Sequence, residues 1–261
     1  MDLDLKDKTA IVTGANGGLG RGIVIELARE QMSLMLVGRN LATLEDIAQL
    51  ARQAGSPAVA VQACDLTLGG VPEATVSATV AALGGIDLLV NCAGAAKRGD
   101  FFALDDRDFL DGFELKFHGT VRMCRAAWAE LKERRGTVVN IVGVGANTPS
   151  PDFTIGGPVN AALVNFTKAL SEIGLRDGVR VDALSPGYIR TERLERRIRD
   201  LSLQSGRSPA EAEAELRDGL KVHRFGEPEE VGRLVAFLAS GQAAYIHGAT
   251  INIDGGVTKG I

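Results

Sequence analysis

One segment near the start of the chain constrains its fold more than any other. Thr9-Ala10-Ile11-Val12-Thr13 is a β-branched, apolar run that reads as a buried parallel strand. It passes straight into Gly14-Ala15-Asn16-Gly17-Gly18-Leu19-Gly20, and then into Arg21 to Ala28, whose apolar residues recur at helical spacing. Strand, glycine-rich turn and helix is the setting that a phosphate-binding turn requires. The glycines permit positive φ and keep Cβ atoms away from a pyrophosphate. The helix start adds unpaired N–H groups and the positive end of a dipole. The plain alternative is a tight strand-to-helix connection with no ligand.

The rest of the chain repeats the strand–helix alternation. Further strands are predicted over 34–37, 58–62, 86–91, 137–142, 179–184 and 250–253. Helices are predicted over 41–54, 71–83, 106–134, 158–173 and 229–240. This rhythm implies a parallel sheet with helices on both faces, and ligands at the carboxyl ends of the strands near the topological switch point. The 261 residues fit one domain. A net charge of −4 with no basic stripe argues against nucleic acid. The charged N-terminus is unlike a signal peptide and no apolar run is long enough to span a bilayer, so a cytoplasmic protein without a membrane partner is expected. Cys64, Cys92 and Cys124 have no metal-ligand spacing and read as buried thiols, and no metal site is expected.

Several ordered motifs carry a resemblance to a known family. They are Thr13-Gly14-x-x-x-Gly18-x-Gly20, Cys64-Asp65-Leu66, Asn91-Cys92-Ala93-Gly94, Ser185-Pro186-Gly187-Tyr188-Ile189-Arg190-Thr191, Arg224 to Glu230, and Ile253-Asp254-Gly255-Gly256. Together they resemble the short-chain dehydrogenase/reductase family along nearly the whole chain. The resemblance implies an α/β fold, a Rossmann-type doubly wound parallel sheet of about seven strands in one domain over 1–261. It implies a nicotinamide cofactor held by Gly14, Asn16, Gly18, Leu19, Gly20, Arg39, Asp65, Leu66, Asn91, Ala93, Gly94, Pro186, Gly187, Ile189 and Thr191. It also implies a homotetramer or homodimer acting on a small molecule. Ala126, Ala127, Trp128 and Leu131 offer either an interface or core.

An acidic residue closing the second strand would accept from both ribose hydroxyls and repel a 2′-phosphate. Here Gly38 stands there, followed by Arg39, whose guanidinium can fork onto a phosphate. NADP(H) is therefore favoured over NAD(H). Alternatively Arg39 is a solvated residue stacking on adenine, and Gly17 stands where many NADPH-preferring relatives carry a second basic residue.

The family's chemistry uses a serine, a tyrosine with a lysine four residues later, and an asparagine on the long helix. Alignment through the neighbouring motifs puts Gly143, Gly156, Asn160 and Lys116 at those positions. Neither tyrosine of the chain, Tyr188 or Tyr245, is followed four residues later by lysine. Asparagine and lysine thus look exchanged. If Lys116 and Asn160 face one another, Lys116 restores a cation near the nicotinamide ribose as an electrostatic catalytic group. The competing reading has Lys116 reaching solvent or pairing with Glu114 or Asp152. The two glycines and Pro158 predict a late helix start and a roomier, less polar pocket. Ser150, Asp152, Thr154 and Tyr188 lie near the gap.

Residues 192–222 fall where the family carries its substrate lid. Leu194, Ile198 and Leu201 have helical spacing, and Ser208-Pro209 with Glu211 marks a second helix start. The arginines at 193, 196, 197 and 199 either steer an anionic substrate or form a solvated face with Glu192 and Glu195. Three functions remain open: an oxidoreductase with an altered proton route, a silent nucleotide-binding protein, and an isomerase or lyase reusing the pocket.

Overall fold

In the computed structural model, residues 2–260 are described. Seven parallel strands, β1 (Thr9–Thr13), β2 (Ser33–Gly38), β3 (Val59–Ala63), β4 (Leu88–Asn91), β5 (Thr137–Ile141), β6 (Arg180–Pro186) and β7 (Thr250–Ile253), lie in the order 3-2-1-4-5-6-7. The order reverses between β1 and β4, which opens a crevice at their carboxyl ends. β1, β4 and β5 are buried at every position, as expected of strands covered on both faces.

Helices α1 (Gly18–Arg29), α2 (Leu41–Ala54) and α9 (Pro228–Ala239) cover one face; α3 (Val71–Leu83) and α5 (Gly119–Arg134) cover the other. Ile23, Val24 and Leu27 of α1 pack with Val231 and Val235 of α9 in the first core cluster. Met123, Cys124, Ala127 and Leu131 of α5 bury against Ile11, Leu89 and Val138 in the second. Ala126 and Trp128 pack on that cluster too, and Trp128 Nε1 donates to Asp177 at 2.9 Å, so this face of α5 is core.

Two helices differ from the sequence expectation. The long helix is divided into α4 (Asp106–Phe113), a π-helical turn at Glu114–His118, and α5. Thr120 Oγ1 donates to the Lys116 carbonyl at 2.8 Å within that widened turn. The helix expected from Pro158 starts earlier, as α6 (Gly156–Asp177), with Ile155 as a cap that provides no side-chain hydrogen bond. Pro158 sits in its first turn, where no intrahelical N–H bond is forfeited.

The 192–222 segment forms two helices, α7 (Glu192–Ser205) and α8 (Pro209–Leu220), with Ser208 and Glu211 in a reciprocal capping box. Leu194, Ile198, Ala212, Val222 and Phe225 give the segment its own small core. Arg190 anchors it: the guanidinium donates to Glu195 of α7 at 3.0 Å and Glu213 of α8 at 2.6 Å, and lies 3.7 Å from Glu227. No helix among the described residues is long and apolar enough to cross a membrane.

Candidate active site

The crevice between β1 and β4 is built largely from backbone. Gly14 has φ +67°, and a Cβ there would stand 2.8 Å from Ala93 Cα. Thr13 Oγ1 accepts from the N–H groups of Cys92 at 3.0 Å and Ala93 at 3.1 Å. These contacts press the loop after β4 against the glycine turn. Gly17 caps α1 without a side-chain hydrogen bond, and the first turn of α1 holds no acidic residue. The helix therefore presents its N-terminal donors and dipole to an anion. At Gly18 an added Cβ would come within 2.8 Å of Thr191, so the turn meets the end of the β6 loop across a narrow cleft.

At the tip of β2, an added Cβ on Gly38 would stand 2.5 Å from Asn16 Oδ1. Asn16 thus fills the space an acidic side chain would need. Arg39 is exposed and has no ion pair among the described residues. Asp65 accepts from Thr67 N at 3.0 Å and Thr67 Oγ1 at 2.8 Å. Those bonds hold its carboxyl below the usual range, and the nearby Arg39 charge adds to the effect.

A dinucleotide fits this cradle, and three of the expected contact residues turn their side chains into the protein. The Leu66 and Ile189 side chains are buried in the core, which leaves their backbone to line the crevice. Asn91 is also buried: its Nδ2 donates to Asn140 Oδ1 at 2.9 Å and lies 3.3 Å from Cys124 Sγ. Asn140 Nδ2 in turn donates to Thr167 at 2.9 Å, so Asn91 braces β4, β5 and α6 together. Apolar packing selects the first two orientations, and the buried amide chain selects the third. Pro186 and Gly187 hold the loop end through β7, where Gly187 N–H donates to Ile253 at 3.1 Å.

The opposite wall is built from β5, α6 and the π turn. Lys116 and Asn160 meet here. Lys116 Nζ donates to Asn160 Oδ1 at 2.5 Å and to the Val142 carbonyl at 2.7 Å. Its aliphatic stem lies on Gly94, where an added Cβ would come within 2.8 Å of Lys116 Cγ and Cδ. Glu114 pairs instead with Arg122, and Asp152 with Arg98. Burial, reinforced by the Arg193 charge, pushes the Lys116 ammonium down to about 8. A π turn inside an α-helix is a recurrent device at functional positions; here it carries Lys116.

The predicted roomy pocket is not found over Gly156. The Phe153 ring occupies the space a side chain at 156 would enter, and it also crowds Gly145 at 3.0 Å from an added Cβ. Arg98 stacks on that ring with its guanidinium 3.9 Å from the centroid and pairs with Asp152 at 2.9 Å. The Gly99 N–H donates to the Asp152 carbonyl at 3.1 Å, and Ser150 donates to the Asp152 carboxylate. Ser150 and Asp152 are thus engaged with each other and Arg98. Tyr188 OH accepts from Arg197 at 3.3 Å. Thr154 Oγ1 is buried without a partner among the described residues. Phe153 was not singled out from the sequence; an aromatic residue three positions before a glycine pair was the available signal. Cys92 and Cys124 are pushed up by burial to about 11 and about 12, which makes them inert thiols at neutral pH.

These features meet on a known framework: the chain belongs to the short-chain dehydrogenase/reductase family. Residues 14–258 match the family described as enoyl-(acyl carrier protein) reductase. Oxidoreductase UcpA of Salmonella typhimurium is 34% identical over 97% of this chain and 95% of its own length. NADPH-dependent reductase BacG of Bacillus subtilis is 29% identical over 98% of this chain and all of its own. The structure of L-sorbose reductase from Gluconobacter frateurii, complexed with NADPH and L-sorbose, superimposes with a TM-score of 0.95 at 27% identity over both full chains.

Proposed function

We propose that this protein is an NADP(H)-dependent oxidoreductase that moves a hydride between the nicotinamide and a carbonyl or alcohol carbon, with Lys116 as its proton-handling cation. The observation that carries this reading is the delivery of the Lys116 ammonium to Asn160. That contact sets a cation beside the lysine position of the family, from the opposite wall. The bound nicotinamide supplies the hydride. In reduction, Lys116 gives a proton to the developing alkoxide and becomes a neutral amine; in oxidation it takes the proton from the alcohol. A lysine poised near neutrality suits both directions, and a positioned general acid is worth roughly 10²–10⁴-fold. The Val142 carbonyl and Asn160 orient the ammonium without neutralising it. Arg39 with Gly38 supports the NADP(H) preference, as do the NADPH-binding relatives. The 192–222 helices serve as a substrate lid, and the chain assembles as a homotetramer or homodimer by family resemblance.

A second reading has one observation in its favour. Phe153 fills the site of the missing tyrosine, which suits a silent nucleotide-binding protein. Titration of the protein with NADPH and NADH, followed by turnover on ketones and aldehydes by the parent and Lys116→Met, separates the two. Tight NADPH binding with turnover lost in the variant is expected. Tight binding with no turnover in the parent moves the conclusion to the silent protein, and no binding of either cofactor removes the oxidoreductase reading.

A further inference from the structure

Three cations at the mouth of the site have no carboxylate partner among the described residues: Lys116, Arg193 and Arg197. The acids around them are already engaged. Asp152 pairs with Arg98, Glu192 with Arg196, Glu195 with Arg190, Glu114 with Arg122, and Glu215 with Arg207. Arg196 pairs outward along its own helix, whereas Arg193 and Arg197, one turn apart on α7, turn toward the site. Arg193 Nη2 lies 3.5 Å from the Gly94 carbonyl, against the same glycine that carries the Lys116 stem. The Arg197 guanidinium lies 5.3 Å from the Tyr188 ring centroid, its charge reaching Asp152. Arg197 also opens onto a groove of about 420 Å³ between α7 and α8, whose lining mixes Tyr188, Leu201 and Leu216 with Gln204 and Glu215.

Cations gathered on one side of a cleft raise the local concentration of anions. We infer that the substrate carries an anionic group, held by the Arg193–Arg197 pair. The inference rests on the proposed oxidoreductase reading and names its substrate class. Carboxylate and phosphate share the forked recognition that guanidinium groups supply, and the test tells them apart. The lid then orients the carbonyl by its charged end, and Lys116 is left free for the proton.

Isothermal titration of the protein, alone and saturated with NADP+, which cannot reduce a ketone, uses two matched pairs: 6-oxoheptanoate with its methyl ester, and dihydroxyacetone phosphate with dihydroxyacetone. At least one anion should bind about tenfold or more tightly than its neutral counterpart. That advantage should shrink to about twofold in a folded Arg193→Gln/Arg197→Gln double variant, while Arg197→Gln keeps its NADPH affinity. Whichever anion wins identifies the group. Equal binding of charged and neutral partners, or a charge preference that survives in the double variant, overturns the inference. So does a tenfold loss of NADPH affinity in Arg197→Gln, which assigns that arginine to the cofactor. Anion selectivity without NADPH binding instead sinks the oxidoreductase reading and leaves the anion site standing.

Discussion

The β1–β4 crevice and the β5–α6 wall sit on the same sheet but are made differently. The crevice is formed by backbone: a positive-φ glycine, close main-chain approaches, and an uncapped helix start. The wall is formed by side chains: Lys116, Asn160 and the Phe153 ring. Backbone sites tolerate few solutions, since a Cβ added at Gly14 or Gly20 collides with main chain. Side-chain sites tolerate exchange, because a charge can reach the same point from another element and a ring can fill a vacated volume. A site made of backbone is therefore more legible in a sequence than one made of side chains.

The largest effect expected from breaking this contrast lies on the crevice side. Gly20 packs so tightly on the Gly14 carbonyl that any Cβ overlaps it. Gly20→Val should abolish NADPH binding, measured by fluorescence titration, by about 100-fold or more. A variant binding as the parent does would mean the turn is only a connector.

Next comes the wall. Lys116→Met should lower turnover by roughly 10²–10⁴-fold. In the parent, carbonyl reduction needs the ammonium, so its rate should fall as pH rises through about 8, while alcohol oxidation should rise over the same interval. A pH–rate profile with no inflection there would remove Lys116 from the proton route.

Cofactor choice should move less. Arg39→Ser should narrow the preference for NADPH over NADH by about tenfold, read as a ratio of dissociation constants. An unchanged ratio would make Arg39 a solvated bystander.

The smallest effect is on stability, and its sign changes with pH. Lys116 loses its proton near pH 8 in the folded chain, against 10.5 as its ordinary value. The unfolded chain holds more protons between those limits, so the burial cost is present in full below about pH 8 and relieved as pH rises toward 10.5. The shift corresponds to about 3 kcal/mol. Lys116→Met removes that cost but forfeits two hydrogen bonds of about 1 kcal/mol each. A net gain of about 1 kcal/mol at pH 7, or roughly 2–4 °C in Tm, should result. At pH 10.5 the variant should be the less stable protein. Calorimetry at the two pH values checks the crossing.

The seven strands were legible as short apolar runs, and the helices over 192–222 because Leu194, Ile198 and Leu201 keep helical spacing and Ser208, Pro209 and Glu211 mark a helix start by their own chemistry. The meeting of Lys116 with Asn160 was legible only as a conditional, since it depends on two helices facing each other across 44 residues of chain. The inward turn of Asn91 was not legible: its motif position pointed to the cofactor, and only the sheet brings Asn140 and Cys124 beside it. Phe153 escaped for a similar reason. A glycine announces lost volume, but the neighbour that fills it is chosen by the path of the loop, which Arg98 and Asp152 fix from a distant strand end.

The Lys116–Asn160 contact also has a consequence for descent. Changing Asn160 to lysine alone would set two ammonium groups within hydrogen-bond reach in a partly buried pocket. Changing Lys116 to asparagine alone would leave two amides and no cation. Neither single substitution keeps one positive charge in place, so the two residues work as a unit. Relatives that carry the pair are expected to retain both residues together, or to lose both.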